Sequence, residues 1–154
     1  MDEKNNSFWF AGENKIQCEF TKLVSPVIKI GKFYVGVIEL MPGMSSVELI
    51  DEGSDSVIIK TNEGLMKRSN ITLIIEKGKV IIDLDEEYQA GKMLTTRAHF
   101  QSLFTVQESD INHRLIISAL QSPGFLGFFN KKFANDRMGK AFLHAHKKYM
   151  ERQS

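Results

Sequence analysis

Residues 40–53 read Leu40-Met41-Pro42-Gly43-Met44-Ser45-Ser46-Val47-Glu48-Leu49-Ile50-Asp51-Glu52-Gly53, and two apolar periodicities meet at the Pro42-Gly43 pair. Upstream, Val27, Ile30, Tyr34, Val37, Ile38 and Met41 step by three or four residues, the spacing of one helical face. The β-branched content and the glycines Gly31 and Gly36 weigh against one regular helix. Two short helices or a strand would both fit this segment. Downstream, Val47 and Leu49 alternate with polar neighbours, which is the period of a half-buried strand. Pro26 follows Ser25, a pattern that places an N-cap and a first helical proline there.

The alternation continues outward from this junction. Ser56 to Thr61 forms a second short run between the turn residues Glu52-Gly53 and Asn62-Glu63-Gly64. Ile71, Leu73 and Ile75 share one face before the Lys77-Gly78 turn, and Val80, Ile82 and Leu84 share the next. Leu94, Thr96, Ala98, Phe100, Ser102, Phe104 and Val106 mark one face of a long strand. A turn at Asp110-Ile111-Asn112 precedes a last strand through Leu115, Ile117 and Ala119. Strands joined this briefly form an antiparallel meander. With an opening strand from Phe8 to Phe20, the chain reads as one α+β domain spanning residues 1–154.

Beyond Ser122-Pro123-Gly124 the period lengthens to about 3.6 residues. Ala134, Met138, Ala141, Phe142, Ala145 and Tyr149 make an apolar stripe on a long C-terminal helix, with most lysines off it. Eleven of the 154 residues are Phe and seven are Met, against three Tyr and one Trp. Phe125, Phe128, Phe129, Phe133 and Phe142 all fall on this segment. Such a set supplies much apolar surface and few hydrogen-bonding handles.

The chain is 42% hydrophobic and 25% charged, with a formal net charge of +1, an ordinary globular balance that excludes disorder and a disulfide scaffold. No nucleic-acid partner is expected from that charge. Residues 130–154 nevertheless carry Lys131, Lys132, Arg137, Lys140, Lys147, Lys148 and Arg152 against Asp136 and Glu151, a local balance of +5. This reads first as a solvated face and second as a site for an anionic membrane or protein partner. The polar, acidic start and the lack of a long apolar run point to the cytosol. Cys18 is the only cysteine and shares a face with Ile16 and Phe20, so it reads as a buried thiol.

With its order of strand, helical pair, six-stranded meander and terminal helix, and with Leu40 to Met44 leading into Val47 to Gly53, the chain resembles the START/Bet v 1-like superfamily, often called polyketide cyclase/dehydrase-like. The resemblance spans nearly the whole chain but rests on a pattern of elements, not on catalytic residues. It implies a helix-grip fold: a curved seven-stranded antiparallel sheet around a long C-terminal helix, with two short helices after the first strand and an apolar cavity between sheet and helix. It also favours the helical reading of residues 26–41. Superfamily members include lipid and sterol carriers, quinone-binding proteins, plant hormone receptors, aromatase/cyclases and partners of larger enzymes.

Catalytic chemistry is hard to assemble. His144 and His146 stand two apart on a helix and diverge by roughly 200°, so they make no helical zinc pair and are expected at the surface. His99 shares a polar face with Arg97 and Gln101, and is expected to face solvent. His113 has the parity of Leu115 and Ile117 and is placed near the cavity mouth. Asp83, Asp85, Glu86 and Glu87 lack the spacing of a calcium loop and read as a solvated hairpin tip. No phosphate-binding glycine loop follows Gly124, and no metal, cofactor or catalytic residue is assigned.

The expected cavity lining is therefore apolar: Tyr34, Val37, Leu73, Ile75, Ile82, Leu84, Phe100, Phe104, Phe129, Phe133, Met138 and Phe142. The function this supports is binding or carriage of a hydrophobic lipid, isoprenoid or aromatic molecule, with access set by the helical pair around Gly31 and Gly36. The alternatives are a cyclase- or dehydratase-type enzyme drawing on His113, Tyr34 or Tyr88, and an adaptor docking through Lys131, Lys132, Lys147 and Lys148.

Overall fold

The computed structural model describes the backbone of residues 8–90, 95–121 and 124–153, and the side chains of residues 10–89, 95–118 and 136–152. In chain order the elements are β1 (Phe8–Ile16), α1 (Phe20–Ile28), α2 (Ile30–Ile38), β2 (Val47–Glu52), β3 (Val57–Thr61), β4 (Gly64–Glu76), β5 (Lys79–Ala90), β6 (Thr96–Gln107), β7 (Asp110–Gln121) and α3 (Gly124–Gln153). All seven strands join one antiparallel sheet in the order β1-β7-β6-β5-β4-β3-β2. The consecutive strands β1 and β2 thus lie at opposite edges. The two short helices carry the chain between them, as the helix-grip arrangement requires.

The helical pair starts earlier than its proline suggests. Phe20, Leu23, Val24 and Val27 continue the helical spacing upstream, and Leu23 and Val27 are wholly buried. Burial of that stripe outweighs the breaker, so Ser25 is no N-cap and Pro26 sits inside α1. The helix ends two residues later, and Lys29 leaves helical geometry (φ −94°, ψ 72°) before α2 begins. The first strand correspondingly stops at Ile16 instead of Phe20. At the Pro42-Gly43 junction Gly43 takes a φ of 83°, a left-handed conformation that glycine adopts without penalty.

β5, β6 and β7 follow the alternation closely, whereas β2 is largely exposed, Leu49 included. Ala98, Phe100, Ser102 and Phe104 of β6 point inward together, beside Val80, Ile82, Leu84 and Glu86 of β5 and Ile111, His113, Leu115 and Ile117 of β7. Asp110 belongs to β7, and the hairpin turns one step earlier, at Glu108 (φ 59°) and Ser109. The acidic residues Asp83 to Glu87 lie inside β5, not at a tip, because the strand continues to Ala90. β4 carries an irregularity between Ser69 and Thr72, where Asn70 (φ 52°) inserts one extra residue opposite β5.

The C-terminal helix lies in the concave face with Phe142, Leu143, Ala145, His146 and Met150 buried. Two glycines let it approach closely. A Cβ at Gly139 would strike the Phe10 ring of β1, and one at Gly36 of α2 would strike the Tyr149 ring. The helix is then tied along β1 by Asn14 Nδ2 donating to the Leu143 carbonyl (3.3 Å) and Lys147 Nζ to the Lys15 carbonyl (2.9 Å). Beyond the strand, the Gln17 N–H donates to Glu151 (2.9 Å). Gly31 of α2 donates its N–H to Glu52 of β2 (3.3 Å).

These contacts set a test. Gly139→Ala gains about 1 kcal/mol of helix propensity but forces the Phe10 ring aside, at a cost of about 1–3 kcal/mol for overpacking. The expected outcome is a lowered urea midpoint in wild type and no loss in a Phe10→Leu background, where the ring is gone. Equal loss in both backgrounds would refute the close-packing account.

Candidate ligand pocket

Between α3, the end of α2 and the inner face of β4, β5 and β6 lies a cavity of about 490 Å³, within the usual range for small-molecule sites of about 300–1,000 Å³. Its wall is dominated by four methionines, Met41, Met44, Met66 and Met138, with Ile38, Phe100, Ala141 and Phe142. Unbranched, polarizable methionines adapt to irregular apolar shapes. Four of the seven methionines in the chain therefore meet at one place.

A buried ion pair interrupts that surface. Arg68 of β4 and Glu86 of β5 face one another across the strand pair, 2% and 8% exposed. Arg68 donates from Nε (3.0 Å) and Nη2 (2.8 Å) to Glu86 Oε1. Its guanidinium carbon lies 4.4 Å from the Tyr34 ring centre, 5.1 Å from Phe100 and 5.2 Å from Phe142, within cation–π range. Among the described residues Nη1 has no hydrogen-bond partner. Burial also pushes the Tyr34 hydroxyl up to about 12. Glu63, Tyr88 and Arg137 complete the wall, with the Tyr88 hydroxyl 3.2 Å from Thr61 Oγ1.

No protein-family model and no curated protein matches the chain. Solved structures do. A hypothetical protein from Helicobacter pylori superposes with a TM-score of 0.64 at 10% identity, covering 91% of this chain and 86% of that one. A STAR-related lipid transfer protein from Xanthomonas axonopodis gives 0.57 at 11% identity, with 91% and 84% covered. The Zhui aromatase/cyclase from Streptomyces sp. R1128 gives 0.58 at 11%, with 94% and 93% covered. This is the START/Bet v 1-like helix-grip fold.

Within that helix-grip frame the residues expected at the cavity divide. Phe100, Met138 and Phe142 line it. Tyr34, Val37, Ile82, Leu84 and Phe104 are buried in the core without lining it, and Leu73 is half-buried against that core. Ile75 is 40% exposed, because it lies close to the Lys77-Gly78 turn at the far end of β4 from the cavity. Phe129, Phe133, Lys131 and Lys132 lie outside the described side chains. Lys147 is held by Lys15 and Glu151, whereas Lys148 is exposed. Arg68 and Glu86 went unforeseen. Glu86 has the parity of Ile82 and Leu84, and that signal was present in the sequence.

The histidines are placed differently from expectation. His144 is exposed, but His146 is fully buried, one helical turn beyond Phe142 on the inward stripe. His113 is fully buried beneath Phe104, with ring centres 4.2 Å apart, and does not line the cavity. The His113 and His146 rings stand 4.7 Å apart. His146 Nδ1 donates to the Phe142 carbonyl (2.8 Å), which leaves its Nε2 as a bare acceptor. Burial pushes His146 down to about 4, against the pull of that hydrogen bond. Burial, then the neighbouring His146, hold His113 well below the ordinary value.

On the outer face His99 meets Asp85 at Nδ1 (2.8 Å) and Asp83 at Nε2 (3.0 Å). Carboxylates only accept, so both ring nitrogens carry protons in this arrangement. Partial burial pulls the imidazole down, but the two hydrogen bonds and the carboxylate charges outweigh it and raise its pKa. None of the described helices is long and apolar enough to cross a membrane. Among the described residues no cluster of three or more His, Cys, Asp or Glu could hold a metal ion.

The two kinds of histidine impose opposite pH slopes. For His146 the unfolded chain binds the proton first, so stability is full above the unfolded value of about 6.5 and is lost as pH falls towards about 4. Urea midpoints should drop over that window, and the drop should be smaller in His146→Phe. For His99 the contribution is full below about 6.5 and is lost as pH rises through its raised folded value. His99→Gln should remove that loss, and the ring proton of His99 should titrate by NMR above the free imidazole. A His99 titration at or below the free value would refute the assignment.

Proposed function

We propose that the protein binds a hydrophobic small molecule, lipid-like, isoprenoid or aromatic, in the cavity beside α3. The observation that carries this reading is the Met- and Phe-lined cavity of about 490 Å³. Transfer of an apolar ligand into it is favoured by about 25 cal/mol per Å² of apolar surface removed from water. Methionines on α2's exit, β4 and α3 can shift around ligands of different outline. The lipid transfer protein and the aromatase/cyclase of the same fold fit such a role, and at 11% identity they share the fold alone.

Catalysis in the same cavity is the weaker reading. Of the acid–base groups considered, Tyr88 lines the wall, Tyr34 lies behind Arg68, and His113 is stacked away from it. Docking on an anionic membrane or protein through the basic helix also has less support, since Lys147 is already engaged within the fold.

Organic extraction of the purified protein followed by mass spectrometry should release an apolar compound. Ala141→Trp, which places an indole in the cavity, should leave the far-ultraviolet circular dichroism unchanged and weaken Nile red binding by about tenfold or more. Unaltered Nile red binding in that folded variant would overturn the reading.

A further inference from the structure

We propose that the outward face of the helical pair α1–α2 docks on an anionic membrane surface, with Ile28 entering the head-group layer among Lys22, Lys29 and Lys32. The proposal does not depend on the cavity holding a ligand. From Phe20 to Ile38 the chain carries these three lysines and no Asp or Glu. All three are exposed, and among the described residues none of them is in an ion pair. Leu23 and Val27 turn one side of α1 into the core, which leaves Lys22, Ser25, Ile28 and Lys29 on the other. Lys32 follows in the first turn of α2. Ile28 is 59% exposed, more than any other large apolar side chain among the described residues.

An aliphatic tip among flexible cations suits a shallow interfacial contact. The isoleucine enters the head-group layer, while the lysine stems lie along it and keep their ammonium groups at the phosphates. Protein interfaces instead favour arginine and aromatic rings and are poor in lysine. The helical pair has no arginine and no fully exposed aromatic ring. Glu52 reaches the junction through its bond to Gly31 and offsets one of the three charges. Glu19 and Glu39 stand at the far ends of the two helices. With so small a surplus of charge, neither the lysines nor Ile28 suffices alone, and the contact is reversible. From this face α2 leads to Ile38 on the cavity wall, about 12 Å along its axis.

Co-sedimentation with vesicles tests this. The protein should bind phosphatidylcholine vesicles that contain phosphatidylserine, and not pure phosphatidylcholine. Sodium chloride at about 1 M, where screening acts over about 3 Å, should release it. Each of Lys22→Gln, Lys29→Gln and Lys32→Gln should weaken binding by about fivefold, and Ile28→Ser should weaken it several-fold. Lys148→Glu with Arg152→Glu, on the terminal helix, should leave it unchanged. In Ile28→Cys, an environment-sensitive dye reacts there in preference to the buried Cys18, and its emission should shift to the blue on the anionic vesicles. Should a lysine variant fail to fold by circular dichroism, the dye shift decides. Retained binding in the folded triple lysine variant overturns the proposal, as does loss confined to the terminal-helix variant. An unshifted dye overturns it too, as does binding to RNA or polyglutamate without binding to vesicles. None of these outcomes bears on Nile red binding in the cavity.

Discussion

The inward face of the sheet has to be covered, and most of the architecture follows from how one helix covers it. Val80, Ile82, Phe100, Phe104, Leu115 and Ile117 form a continuous apolar floor, far too large to leave in water. The C-terminal helix seats close to β1, where Gly139 admits the Phe10 ring, and close to α2, where Gly36 admits the Tyr149 ring. Hydrogen bonds from Asn14 and Lys147 and to Glu151 then fix its height along β1. Close packing at one edge leaves the opposite side of the helix standing away from β4 and β5. The cavity occupies that gap.

Polar groups inside the grip are handled in two ways, each suited to its place. His113 and His146 sit in the closed part of the core among Phe33, Phe104 and Phe142. There neutrality is the cheaper state, and burial enforces it. Arg68 cannot follow that route, because a guanidinium keeps its charge. It is matched by Glu86 and surrounded by aromatic faces instead. Removing one partner of such a buried pair costs about 3–5 kcal/mol, although the pair itself adds little net stability.

Much of this was legible in the sequence, and the exceptions have physical causes. The period of two is legible along β5, β6 and β7 because one face of each of these strands is buried, and its change near Gly124 marks the start of α3. The helical pair was shifted by several residues because Pro26 and Ser25 carry a strong start signal, which the buried stripe Leu23–Val27 overrides. His146 departs from the expected surface position because helical divergence from His144 does not put both residues outside. Divergence requires only that they differ, and the position one turn after Phe142 is inward. Glu86 was grouped with its acidic neighbours by composition, although alternation along β5 separates it from Asp85 and Glu87.

Arg68 is the instructive miss, because local alternation points the wrong way. Ile71, Leu73 and Ile75 have odd parity, and extending it back along β4 turns Leu65 and Lys67 inward and Arg68 outward. The strand does the reverse: Met66 and Arg68 are buried and Leu65 is 37% exposed. The extra residue at Asn70 accounts for the inversion, since a single insertion moves every side chain beyond it to the other face. Asn70 holds the irregularity from both sides, adopting the left-handed backbone that asparagine tolerates and donating to Asp85 on the neighbouring strand (2.9 Å). Without it, a lysine and a leucine would face the helix in place of an arginine and a methionine. The cavity would keep its place but lose its buried Arg68–Glu86 pair, so the polarity of the pocket wall depends on a backbone irregularity that no side-chain pattern announces.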